Sequence, residues 1–392
     1  MTEHTATPVP NRTNALAMRD WMRTLPPKWL FRIGSRLGLT PPPIKALMDA
    51  SAFMLPQWMY TAAKLNIPAA LAGGPKTSAE LSRMCGVDEE RLSRLLYSLE
   101  QRGYFRRVRG GLRHRLDGPW THTARSETLI ADHPNTVRPI LFHWVEDCYG
   151  PAAHLLHALQ RNTCAFSLAQ SQPGIGFFEH YLPAHPDKAR QFSEAMTASS
   201  AFSDEAVLRD VDWSRFSTMV DAGGSNGSFL ELALRRFPAM HGVLFDRPNV
   251  IAQAEQAWDG RDPRLRQRID FVPGDFFGDE RLPTGGESGV VVLRNILHDW
   301  GDAECLRILG NVRRSMHDTG RVVLIEVGLG IEPSEHILEQ ARSGLDMLML
   351  TMFEGKERTH EQLTELLAAA GFNVVAITST RSIFSAIEAR PA

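Results

Sequence analysis

From Thr218 to Val327 the chain alternates short apolar runs with stretches of helical length, and no other feature constrains its fold as tightly. The runs Thr218–Ala222, Gly242–Phe245, Ile269–Val272, Val290–Leu293 and Val322–Val327 are too short for buried helices and are spaced for crossover connections. This is the pattern of a parallel sheet wrapped by helices. Near the C-terminus, NVVAITST and SIFSAIEA lie too close together for a crossover, so they read as an antiparallel hairpin and make the sheet mixed. The fold class is α/β.

In open α/β sheets, ligands bind outside the carboxyl ends of the strands, so the residues just after each run come next. Asp221-Ala222-Gly223-Gly224-Ser225-Asn226-Gly227-Ser228 follows the first run and leads into a helix from about Phe229 to Phe237. Glycines there allow a tight turn and close approach to a ligand. The spacing is not G-x-G-x-x-G, and no G-K-[ST] follows, which rules out a P-loop. Asp246 closes the second run, where an acidic side chain accepts hydrogen bonds from ribose hydroxyls. Asp275 follows the third, beside Phe276 and Phe277, a carboxylate and aromatic faces suited to adenine. Singly, each aspartate reads as a turn or cap residue. Together they describe a site for adenosine with no grip on phosphate.

The fourth run ends in LRNILHDWGDAECLRIL, which puts His298, Asp299 and Trp300 at the same rim. With an ordinary pKa of ~6.5, an imidazole takes a proton at neutral pH without being tuned. His298 is therefore the candidate general base. The plainer reading is a histidine at a helix start with Asp299 as its cap.

The remainder bounds partners and organisation. A net charge of −2 gives no global case for nucleic acid or an anionic membrane. The 4 cysteines, Cys85, Cys148, Cys164 and Cys305, form no C-x-x-C pair, so neither a zinc site nor a disulfide framework is expected. No clustered metal-ligand spacing appears, and metal is expected to play no part. The N-terminus lacks a secretory apolar core and no run has membrane-spanning length, so a cytoplasmic protein is expected.

Residues 1–43 form an arm that closes on Pro41-Pro42-Pro43 and mixes Trp21, Trp29 and Phe31 with Arg19, Arg23 and Arg32. Such an arm can lie on a membrane surface or pack on a partner subunit. Residues 44–118 read as helices, a turn at Gly86, another helix and a short strand, which is a winged-helix pattern. Its arginines, Arg102, Arg106, Arg107, Arg109, Arg113 and Arg115, would suit a DNA-reading wing, and the same fold also serves dimerisation. Residues 119–215 read as joining helices, with Trp144 and Phe177 facing either a pocket or the core. Residues 216–392 form the cofactor-binding domain.

An adenosine ligand without phosphates points to S-adenosylmethionine. From about Ile44 to the C-terminus the chain resembles the O-methyltransferases that include plant caffeate and flavonoid enzymes and bacterial enzymes tailoring polyketides and phenazines. The stretches that carry the resemblance are VDAGGSNGSFL, LFDRPNVI, VPGDFF, LRNILHDWGDAECLRIL, LIEVGL and GKERTHEQLTELLAAAGF. It implies a Rossmann-like, mixed seven-stranded methyltransferase sheet behind an N-terminal, mainly helical winged-helix dimerisation domain, in a homodimer. It further implies a cofactor site at Gly223, Asp246, Asp275, Phe276 and Arg294, and His298 as base flanked by Glu326 and Glu357. A small hydroxylated aromatic is the implied acceptor, with Trp144, Phe177, Met347 and Met352 as pocket walls.

Some members keep this cofactor site for decarboxylation or hydroxylation, and a DNA-binding regulator with a nucleoside effector is the reading from another class. Ser225 stands where many members have glycine, Arg294 where plant members have lysine, and Glu354 where the family usually has the first glycine of G-G-K/R-E-R-T.

Overall fold

The computed structural model describes residues 40–108, 118–170, 174–333 and 336–392, apart from the side chains of 201 and 202. The expectations for the tryptophans and arginines of the arm, and for Arg109, Arg113 and Arg115, lie outside these residues. The chain divides after Gln57 into two units. In the first, the helix Pro42–Ala50 begins on prolines, which suit a first turn where N–H groups have no partner anyway, and it buries none of its residues.

In the second unit, the helices Ser78–Cys85 and Glu89–Gln101 are delimited by their own sequence. Thr77 and Glu80 form a capping box, Gly86 ends the helix at φ 66°, and the Asp88 side chain caps the next. Leu81, Leu92, Leu96 and Leu99 supply the buried stripe. Two strands follow, β1 (Phe105–Arg107) and β2 (Trp120–His122), paired antiparallel. The second begins just past residue 118, the boundary read from sequence. Arg107, expected on an exposed wing, instead lies 4.5 Å over Trp120 and pairs with Glu100 at 3.1 Å, its side chain 8% exposed.

The region after β2 is helical, and two of its segments, Trp144–Cys148 and Phe177–Tyr181, are single π-helical turns. Such turns often occur at functional sites. The helix Pro186–Asp210 then leads into the large sheet.

That sheet contains β3 (Thr218–Ala222), β4 (His241–Asp246), β5 (Ile269–Pro273), β6 (Gly289–Arg294), β7 (Arg321–Leu329), β8 (Arg358–Thr359), β9 (Phe372–Ser379) and β10 (Phe384–Pro391). The order is β5-β4-β3-β6-β7-β10-β9, with the short β8 added beside β7. Pairing is parallel from β5 to β7, and β10 is antiparallel to both neighbours. Period-two alternation distributes each strand between two cores. Val290 and Val292 pack on one face with Phe229, Leu230, Trp213 and Trp258, while Val291 and Leu293 pack on the other with Ile308, Leu309, Val312 and Leu367.

The mixed α/β architecture follows the expectation, with β8 added to the seven-stranded path. Among the described residues, no helix is long and apolar enough to cross a membrane.

Candidate active site

The chain runs outward from β3 through β4 to β5, then returns to build β6 and β7 on the other side of β3. The sheet therefore has its switch point between β3 and β6, where loops diverge and leave a crevice. The glycine loop after β3 and the histidine turn after β6 border it.

On the β3 side, Gly223 has φ 76°, and a Cβ there would lie 2.4 Å from Ile296 and 3.1 Å from the Phe276 ring. Only glycine fits, and the Phe276 ring is thereby placed against the loop. Asp246 ends β4 and accepts the Ser225 N–H at 2.9 Å and the Arg247 N–H at 2.7 Å. Its remaining lone pairs stay available to hydroxyl donors. Ser225 has φ 55°, a left-handed conformation costly for a side chain, and its hydroxyl lies 3.1 Å from that of Ser193 on the long helix. Asp275 is exposed, and its carboxylate caps the Phe277 N–H at 3.0 Å.

Asp221, 1% exposed, leaves Oδ2 without a partner, and burial raises its pKa to about 6. Arg294 ends β6. Its guanidinium bonds Asp204 at 2.9 Å and lies 5.1 Å from the Phe229 ring, which commits it to the long helix and the core. Acceptors thus dominate the rim, an arrangement that fits a cationic, hydroxyl-bearing nucleoside and not a phosphate.

On the β6 side, Leu297–Asp299 form one tight turn, and the following helix begins at Asp302 with Gly301 as its cap. Asp299 is therefore not a helix cap. Its Oδ1 lies 3.6 Å from His298 Nε2, while His298 Nδ1 lies 2.8 Å from Glu357 Oε1. Glu326, at the end portion of β7, was expected to flank the ring. Its Oε1 accepts the backbone N–H groups of Ile296 and Leu297, at 3.1 and 2.8 Å, beside the ring. Glu326 Oε2 and Glu357 Oε2 are buried without partners.

One donor atom from each of His298, Glu326 and Glu357 lies within 4.8 Å of the other two. Sequence spacing shows no such cluster, because the three residues come from a turn, a strand and a distant loop. One imidazole and two carboxylates make a donor set for a cation as well as for a proton.

This setting changes the expected chemistry of the imidazole. Burial alone depresses its pKa, but the Glu357 and Asp299 carboxylates, with Glu326 behind them, overcome that and push it up to about 10. Burial raises Asp299 and Glu326 to about 7 each, against the pull of His298. The surrounding carboxylates thus favour the protonated ring, an influence that the segment around His298 does not show by itself.

The expected pocket residues fall into different environments. Phe177 is 2% exposed and meets Phe166, Tyr181, Phe192 and Phe353 at centroid distances of 5.3 to 5.7 Å. Met352 is buried in the same cluster, whereas Trp144 and Met347 are 44% and 43% exposed. Glu354 accepts the Cys164 N–H at 3.0 Å and so ties the glutamate loop to the helical region. Sequence reasoning missed Asp204, Ser193 and Arg358. All three act through contacts distant in sequence; Arg358 carried a signal in the GKERT stretch, whereas Asp204 and Ser193 carry none.

Comparisons with known proteins agree with this geometry. Residues 153–373 match the O-methyltransferase domain family, and residues 48–132 match the O-methyltransferase dimerisation domain. The chain is 31% identical over 359 residues to phenazine O-methyltransferase PhzM of Lysobacter antibioticus, covering 91% of this chain and 98% of that protein. It is likewise 31% identical over 337 residues to 8-amino-8-demethylriboflavin N,N-dimethyltransferase of Streptomyces davaonensis, covering 85% and 90%. The crystal structure of human N-acetylserotonin methyltransferase in complex with SAM superposes with a TM-score of 0.80 at 25% identity, covering 90% of this chain and 99% of that one. The chain belongs to the O-methyltransferase family and is an S-adenosylmethionine-dependent enzyme.

Proposed function

We propose that the chain methylates a hydroxyl of a small aromatic secondary metabolite by in-line displacement, with His298 as the proton acceptor. The observation that carries this is the His298–Glu357 contact of 2.8 Å at the sheet's switch point. Glu357 takes the Nδ1–H, so Nε2 is the nitrogen left to receive a proton. When bound, S-adenosylmethionine supplies an electrophilic methyl on a sulfonium.

Gly223 and Phe276 would bracket the adenosine, Asp246 would accept its ribose hydroxyls, and Asp275 would face the adenine edge. Arg294, paired with Asp204, would act on that site through the long helix. Trp144, Phe177, Met347 and Met352 would shape the acceptor side, the buried pair as backing and the exposed pair as lining.

A phenol of pKa ~10 is mostly protonated at neutral pH, so its proton must pass to the ring as the methyl moves. The ring must first be neutral. A positive charge docked nearby would favour that neutral form by lowering the ring's hold on its proton. Glu326 keeps the turn in place while the charge moves.

The dimerisation-domain match supports a homodimer formed through the N-terminal residues, with 1–43, 44–118, 119–215 and 216–392 as arm, dimerisation, helical and catalytic parts. Light scattering should return twice the mass of one chain. The deciding assay is a mass-spectrometric screen with isotopically labelled methyl donor across hydroxylated aromatics, and also aromatic amines, since one relative is named an N,N-dimethyltransferase. Label in a phenolic product supports the proposal. Product without label replaces it with decarboxylation or hydroxylation.

A further inference from the structure

The loop that delivers Glu357 also delivers Arg358, whose side chain is 1% exposed. Its Nη1 donates to the Leu297 carbonyl at 2.7 Å, and its Nη2 donates to the Trp300 carbonyl at 2.8 Å. Those carbonyls bracket His298 and Asp299. The planar guanidinium thus spans the catalytic turn and fixes the separation of its two ends, which a single-point donor cannot do.

Asp302 holds the guanidinium itself. Its Oδ1 accepts Nε at 3.0 Å and Nη2 at 2.7 Å, while its Oδ2 accepts Lys356 Nζ at 2.9 Å. The backbone of Arg358 is paired with Gly328 in β7, the strand that carries Glu326. Glu326 secures the N–H groups at the start of the turn, and Arg358 secures its carbonyls. Between them Gly355 lies so close to the turn that a Cβ would fall 2.0 Å from the His298 carbonyl oxygen.

We propose that Arg358, oriented by Asp302, is a positioning residue for methyl transfer: it holds the 297–300 turn so that the His298 ring stays on Glu357 and aimed at the crevice. The inference rests on the assignment of His298 as proton acceptor. Arg358 touches neither donor nor acceptor, and its effect is expected in turnover and not in binding.

The test uses the full-length protein with Arg358→Lys, which keeps the charge but cannot bridge both carbonyls, and Arg358→Ala. In Arg358→Lys, turnover per folded molecule should fall about 10²-fold, with the cofactor Kd and the acceptor KM each within about threefold of the parent. The His298 ring, followed by NMR of ¹⁵N-labelled histidine and assigned with His298→Gln, should titrate differently from the parent. Dilute guanidinium should restore part of the lost turnover in Arg358→Ala.

Unchanged turnover, or a fall with an unshifted ring titration, overturns the proposal. Should both variants misfold, Asp302→Asn alters a half-exposed carboxylate instead. It should lower turnover about threefold to tenfold with a shifted ring titration, and an unshifted ring again overturns the proposal. The ring titration separates this inference from its foundation. If His298→Ala retains full turnover, the base assignment fails, while the ring in Arg358→Lys still reports whether Arg358 positions it.

Discussion

The histidine turn and the aromatic cluster around Phe177 are both largely buried, and they are held by opposite means. The turn is bound by directed hydrogen bonds that it donates to Glu326 and Glu357 and accepts from Arg358, at 2.7 to 3.1 Å. The cluster is held by ring packing, with Phe178 stacked on Phe353 at 5.0 Å and edge contacts around Phe177. Directed bonds fix an atom's position, as proton transfer requires. Ring packing excludes water and sets volume while tolerating changes of shape. Under the proposed function, chemistry would sit on the rigid strand ends and acceptor choice on a wall that can vary.

His298→Ala should break the comparison most sharply. We expect turnover to fall roughly 10²–10⁴-fold with cofactor affinity nearly intact, measured by steady-state kinetics and calorimetry. Its counterpart in the cluster is Phe177→Ala, which should cost about 3–5 kcal/mol of unfolding free energy, read from denaturant titration. In a stabilising buffer the folded fraction should retain its imidazole titration. Loss of that titration would show that the two regions are not independent.

A third test concerns pH. Because the acceptor must be unprotonated, kcat/KM should decline as pH falls, along a limb centred above the ~6.5 of an ordinary histidine. Glu357→Gln removes the carboxylate that raises the ring most, so this limb should move to lower pH while turnover drops. A limb that stays in place would detach Glu357 from the ring's electrostatics.

Asp246→Asn should weaken cofactor binding about tenfold, since a neutral amide accepts ribose hydroxyls less well. Met347→Ala should leave stability within about 0.5 kcal/mol, because the side chain is 43% exposed, and alter only the ranking of acceptors. Removal of metal by a chelator should have the smallest effect of all, leaving methyl transfer unchanged. A lost rate restored by a divalent cation would reassign the His298, Glu326 and Glu357 donors to metal binding.

Legibility differed along the chain for physical reasons. The strands β3 to β7 were visible because period-two burial on two faces writes a local signature of β-branched and apolar residues. Asp246 and His298 were visible because strand ends face the crevice in any sheet of this order. The bonding of Glu326 to the turn's backbone was not, since it depends on register between β6 and β7. The exposed position of Trp144 and the full burial of Phe177, each in a π-helical turn, were set by packing with residues distant in sequence.

The sequence by itself determined the strand and helix order, the glycine-rich turn after the first strand, and the donors that could meet at one rim. Those features are local, set by side-chain periodicity and backbone sterics within a few residues. The tertiary structure alone decided that carboxylates surround His298 and favour its protonated form, that Arg294 pairs with Asp204, and that Arg358 bonds both ends of the 297–300 turn. Electrostatic and hydrogen-bond partners are fixed by distance in space, and carboxylates brought from positions 326 and 357 to one imidazole have no signature in either segment alone.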